Sequence, residues 1–131
     1  MNKTLVQHAT VKNVLFGADV AATKTGEIID RDAKRDAIIH AVAVTSGAPT
    51  STAIELKLQH SDTEVTGDFV DADIQGQATA FTIDAEGELH VNLEGFKRYI
   101  RVVATASFTG GTSPKATIVA SAVLGNAEKL G

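Results

Sequence analysis

The chain has 131 residues, 44% of them apolar but only 5% aromatic, and its 12 basic and 16 acidic residues leave a net charge of −4. That length suits one domain with an aliphatic core of Val, Ile, Leu and Ala. With no cysteine disulfides and thiolate metal sites are excluded, and the acidic balance argues against a nucleic-acid partner, whose affinity comes largely from Lys and Arg neutralising phosphates.

From the N-terminus, residues 1–10 fall outside any strand pattern, and "TVKNVLF" (10–16) is the first candidate strand. "DRDAKRDA" (30–37) is the one stretch where a helix is expected, and it is short and polar. The run Ala37 to Thr45 within "DAIIHAVAVTSG" is apolar on both faces and reads as a central strand. "TAIELKLQH" alternates strictly: Ile54, Leu56 and Leu58 point one way, Glu55, Lys57 and Gln59 the other. Alternation of this kind is the mark of a half-buried strand. "QATAFTID" gives a shorter strand with Phe81 and Ile83 inward, and "ELHVNL" sets Leu89, Val91 and Leu93 against Glu88, His90 and Asn92.

The stretch "GFKRYIRVVATASFTGGTSPKATIVASAVLG" places Ile100, Val102, Ala104, Ala106 and Phe108 on one face, and Ala116, Ile118, Ala120, Ala122 and Leu124 on another. It reads as a hairpin over 98–124 joined by the loop Thr109 to Pro114. Arg101 falls on its polar face, and Arg98 stands at the strand start, where a long side chain reaches water. Lys97, Arg98 and Arg101 therefore read as a charged strand entrance before they read as a binding site.

"TSGAPTS", "DAEGE" and "TGGTSP" carry the Gly, Pro, Ser and Asp of turns. Six to eight strands at this spacing predict an all-β fold, an antiparallel β-sandwich or jelly roll, as one domain over 1–131 with arms at about 1–10 and 126–131. No apolar run approaches the ~20 residues of a membrane helix, and the opening lacks the apolar core of a signal peptide. A soluble protein made in the cytosol is expected, in which "NKT" at Asn2 is a chance glycosylation pattern.

The candidate sites are few. In "DADIQG", Asp71, Asp73, Gln75 and Gly76 occupy the first, third, fifth and sixth places of a calcium loop, but the twelfth holds Thr82 in place of a bidentate Glu. A solvated acidic loop, with Asp62, Glu64 and Asp68 beside them, is the expectation. Of His8, His40, His60 and His90, no pair has zinc spacing; His40 reads as a core histidine, and His60 as bonded locally to Ser61 or Asp62. A nucleophile elbow is absent, and "GGTSP" lacks the Lys-Ser/Thr end of a phosphate loop. No catalytic, cofactor-binding or metal residue is assigned, and the protein is expected not to be an enzyme. A sandwich that binds carbohydrate would need exposed aromatics, for which Tyr99 and Phe69 are the candidates.

Taken in order, "TKTGEIIDRDAKRDAIIHAVAV", "ELKLQHSDTEVTGDFVDAD" and "GFKRYIRVVATASFTGGTSPKATIVASAVLGNA" resemble capsid cement (head decoration) proteins of tailed bacteriophages, with a jelly-roll fold. "LQHSD" with "FVDAD", and "KRYIRVVAT" followed by "ATIVASAVLG", carry the likeness over residues 24–127. It implies a virion structural protein that binds the major capsid protein and stabilises the shell. It also implies a homo-oligomer, dimer or trimer, made in the host cytoplasm and placed on the capsid surface, with no cofactor, nucleic-acid or membrane partner. A different phage component, from the tail or the head–tail connector, and a carbohydrate-binding module are the alternatives.

Overall fold

A computed structural model describes residues 10–31 and 34–125. Its strands are β1 (Thr10–Val20), β2 (Thr23–Thr25), β3 (Ile29–Asp30), β4 (Asp36–Ser46), β5 (Ser51–Ser61), β6 (Val70–Asp71), β7 (Ala80–Ile83), β8 (Glu86–Asn92), β9 (Tyr99–Thr109) and β10 (Lys115–Gly125). Helix among the described residues is limited to two 3₁₀ turns, Thr66–Asp68 and Leu93–Gly95. The strands form two antiparallel sheets. One has the order β1-β10-β4-β8; the other has β2-β9-β5-β6, with β3 also on β9 and β7 also on β5.

Ten strands thus occupy eight positions, because β2 with β3, and β6 with β7, each share one edge. Along the chain the two sheets alternate: β1, β4, β8 and β10 lie in the first, and β2 with β3, β5 to β7, and β9 in the second. This is the jelly roll, in which each sheet is assembled from segments distant in sequence. The expected arms lie outside the described residues, except that Thr10 already belongs to β1, paired with Leu124.

The core is aliphatic, as composition requires. Leu15, Ile39, Ile54, Leu56, Leu93, Ile100, Ile118 and Leu124 are fully buried, and Ala41, Ala104, Ala120 and Ala122 fill the same layer. Small alanines between branched side chains let two inner faces interdigitate at close-packed density. The faces expected inward on β5, β7, β8, β9 and β10 do point inward, with Leu89, Phe81 and Phe108 only half covered.

The hairpin over 98–124 is a correction. β9 pairs with β5 from Tyr99 to Thr109, and β10 pairs with β4 from Lys115 to Gly125, in opposite sheets. Each strand buries an apolar face, and the two faces meet across the core instead of lying side by side. The Gly-rich loop between them is therefore a corner, not a hairpin turn. Gly110, Gly111 and Ser113 take positive φ there, and the loop is bonded to the β4–β5 corner by Thr112 N–H to Gly47 O (2.9 Å) and Thr50 N–H to Thr109 O (2.7 Å).

The helix expected over 30–37 is a second correction. β3 pairs Ile29 with Ile100 and buries it, and β4 has begun by Asp36. Arg31 holds the connection: its guanidinium donates to the carbonyls of Phe96 (2.8 Å), Lys97 (3.0 Å) and Lys34 (3.2 Å). β4 is central, as expected, but only one of its apolar faces is covered: Ala37, Ile39, Ala41 and Ala43 are buried, while Val42 and Val44 face outward and are exposed.

Candidate functional site

The basic cluster sits where the second sheet begins, and its charges are satisfied within the chain. Arg98 lies just before β9 and forms a fork with Asp30, at 2.8 Å from Nη2 and 3.1 Å from Nε. Its guanidinium also lies over the Tyr99 ring, 5.1 Å from the centroid. Lys97 Nζ is 3.7 Å from Asp62. Arg101 is only 9% exposed: on the outer face of β9 it donates to Gln59 Oε1 (2.8 Å) and lies 4.4 Å from the centroid of Phe69. A guanidinium suits this place because it stacks flat on an aromatic ring while its edge still donates. Lys97 and Arg98 form the charged strand entrance that was expected, while Arg101, expected on a polar face, is buried against Phe69.

Both aromatics considered as sugar platforms are taken up in this way. Phe69 is buried beneath Arg101, and Tyr99 carries Arg98.

The acidic stretch closes on itself. Thr63 Oγ1 donates to Asp68 (2.7 Å), and Ser61 Oγ accepts from Thr63 N (3.0 Å). Asp71 pairs across β6 and β5, with Gln59 Nε2 at 2.8 Å and Lys57 Nζ at 3.1 Å. The Gln59 hydrogen bond first, and Lys57 second, hold its carboxyl below the usual carboxylate range. Asp73 is exposed, Gly76 forms a turn at φ +87°, and Thr82 lies on β7 opposite Glu55. The six residues that imitate a calcium loop are therefore a strand end and a turn. Among the described residues no group of three or more His, Cys, Asp or Glu could hold a metal ion.

Two histidine readings are corrected. His40, expected in the core, points outward on β4 and is exposed, with Nε2 3.4 Å from Glu86. Alternation decides this: Ile39 and Ala41 take the inner face, so His40 takes the outer one. His60 is buried, but its partner is distant in sequence: Nδ1 accepts from Lys97 N (3.3 Å), and the ring stands edge-on to Phe96 at 5.6 Å. Burial first, then the Lys97 charge, push its pKa below 6.5, against an upward pull from Asp62. His90 is exposed, as its alternation implies, 3.8 Å from Glu88. His8 lies outside the described residues.

Two further surfaces stand out among the described residues. At the corner of β4 and β5, Thr45, Thr50, Thr52 and Asp84 help line an open cleft of about 530 Å³, with Ala48, Pro49 and Ser51 completing it. Its lining has a single charged group and no aromatic ring, which leaves little to orient a small ligand. The other surface is the outer face of the first sheet. Six large apolar residues lie there exposed: Val11, Phe16, Val42, Val44, Val119 and Val123. Register aligns them, with Val11 beside Val123 and Ile38, and Phe16 beside Val119 and Val42. This surface is absent from the sequence reading, although its signal was present. An antiparallel sandwich buries one face of each strand, so a strand apolar on both faces leaves one to be covered by something else.

The order of strands makes the chain an antiparallel jelly roll. It is similar in fold to the crystal structure of SPBc2 prophage-derived protein YomS, with a TM-score of 0.52 and 14% identity over 88% of this chain and 91% of that one. It is also similar to a chain in the structure of infectious bursal disease virus Gt strain, with a TM-score of 0.50 and 13% identity over 88% of this chain and 32% of that one. At these identities the likeness is one of fold, and this chain corresponds to about a third of that viral chain. No protein-family model matches the chain, and no curated protein matches it in sequence.

Proposed function

We propose that the protein is a virion structural component, a cement or decoration protein of a tailed-bacteriophage head that binds the major capsid protein and stabilises the shell. The observation that carries this reading is the jelly roll shared with a prophage-derived protein over nearly the full length of both chains. The chemistry is in keeping with it. Its charged clusters pair among themselves, and an uncovered apolar sheet offers area for protein contact. The reading includes no catalytic step and no cofactor. Such a protein works from the capsid surface after synthesis in the host cytoplasm. Weak contacts suffice, because many copies act together on one closed shell.

A glycan-binding role has less support, since Tyr99 and Phe69 are both covered by arginines.

The test is to mix the purified protein with phage heads that lack it, count the copies bound per shell, and follow shell integrity on heating. Saturable binding together with a higher rupture temperature is expected. Failure to bind heads, with recovery of the protein in purified tails, would place it elsewhere in the virion.

A further inference from the structure

The outer face of the β1-β10-β4-β8 sheet combines an apolar centre with charges at its ends. Alternation turns Lys115, Val119 and Val123 of β10 outward together with Asp36, Val42 and Val44 of β4. Lys115 pairs in register with Ser46, and Gly125 with Asp36, so the lysine and the aspartate stand at opposite ends of an eleven-residue ladder. β8 closes one side with a polar rim, where Glu86 and Glu88 meet His40 and His90.

We propose that this face is the contact with a second copy of the chain, the two sheets stacking face to face about a two-fold axis that runs across the strands. Area is the first argument. Three strands of eleven residues and one of seven, ~4.8 Å apart at ~3.4 Å per residue, give a face on the order of 600 Å². Two such faces remove on the order of 1,200 Å² from water, within the range of specific protein interfaces. Charge is the second argument. A two-fold across the strands lays one end of the ladder on the other end of its partner, so Lys115 of each copy approaches Asp36 of the other. Valines, Ser121 and His40 occupy the middle. An isologous contact requires such self-complementarity, whereas a foreign partner does not. The outcome is a second sandwich interface, built from valines and Phe16 where the first is built mainly from Ile, Leu and Ala. This inference stands apart from the cement reading, since it concerns the protein free in solution.

Sedimentation velocity on the full chain at about 100 μM tests it. A species of twice the chain mass of 13.7 kDa is expected. Val42→Asp with Val119→Asp removes the dimer and leaves the far-UV circular dichroism spectrum and melting curve of a folded sandwich. Lys115→Asp weakens the dimer about tenfold, and adding Asp36→Lys restores most of the loss. This charge exchange decides the matter even if the double valine variant fails to fold. A monomer at that concentration, a trimer, or a dimer indifferent to the charge exchange overturns the proposal. A monomer that loses binding to phage heads on Val42→Asp with Val119→Asp overturns it too, and gives the face to the shell. If dimers form as described yet no heads bind, the cement reading fails and the dimer face stands.

Discussion

On β5, adjacent side chains meet opposite environments, and the energetics follow. Leu56 is 0% exposed, between Ala104 of β9 and Phe81 of β7, while Glu55 faces solvent. Leu56→Ala removes buried methyl groups and leaves a cavity, which costs about 2–5 kcal/mol; Glu55→Ala changes stability by less than about 0.5 kcal/mol. Urea midpoints for the two variants measure the contrast, and equal losses would contradict the register of β5. His60 adds a dependence on pH. Its folded pKa lies below the ordinary 6.5, because burial and Lys97 oppose the charge and Nδ1 already accepts from a backbone amide. Well above pH 6.5 neither state is protonated at His60, and its full contribution is present. As the pH falls below 6.5 the unfolded chain binds a proton that the folded chain refuses, so stability is lost until the folded pKa is reached. His60→Gln lacks this titration. The stability gap between wild type and variant is therefore larger at about pH 7.5 than at about pH 5, and a gap that widens on acidification contradicts the assignment.

The corners between the sheets depend on backbone geometry more than on side chains. Gly111 has φ +82°, and a Cβ there would stand 2.6 Å from Gly47 O and 2.9 Å from Pro49 Cα, so the β4–β5 and β9–β10 corners touch through it. Gly111→Ala combines a left-handed backbone with a backbone clash and is expected to cost more than about 2 kcal/mol. Gly76→Ala shares the positive φ (+87°) but meets no atom within 4 Å, which leaves a conformational cost of about 1 kcal/mol. Thermal melts of the pair separate the two contributions, and similar losses would show that the corners do not lean on each other. These corners also mark how far the sequence could be read. The strand stretches 54–58 and 89–92 were legible because alternation is local. Which sheet each strand enters was not, because "TGGTSP" serves a hairpin and a sheet-to-sheet corner equally well. The pairing of β10 with β1, about a hundred residues away, leaves no local mark. The partners of Arg101 and His60 were hidden for the same reason: Phe69 and Lys97 come beside them only when the sheets assemble. Val42 and Val44 show the apolar outer face in the sequence, but a run that is apolar on both faces does not say which face the fold leaves open.

Across the whole molecule, the two sheets share one core and cannot form separately. β10 lies between β1 and β4, pairs with both along its length, and contributes Ala116, Ile118, Ala120, Ala122 and Leu124 to the common cluster. A chain ending at residue 114 loses both ladders. Burial of Ile118 and Leu124 alone is worth about 1.5–3 kcal/mol each, and the unpaired backbones of β1 and β4 add to that loss, against a total stability of only ~5–15 kcal/mol for a domain. The 1–114 fragment is expected to lack a cooperative melt and the far-UV spectrum of the full chain. In the full chain, near-UV and far-UV signals should unfold in one coincident transition, since neither sheet survives the other. Refolding is expected on the millisecond-to-second scale, because the earliest and latest strands must meet before the first sheet closes. A folded 1–114 fragment, or two separated transitions in the full chain, would mean that the second sheet holds a core of its own. The proposed shell-stabilising role asks for the opposite: one unit that yields only as a whole, so that a load applied at one face is carried by both sheets.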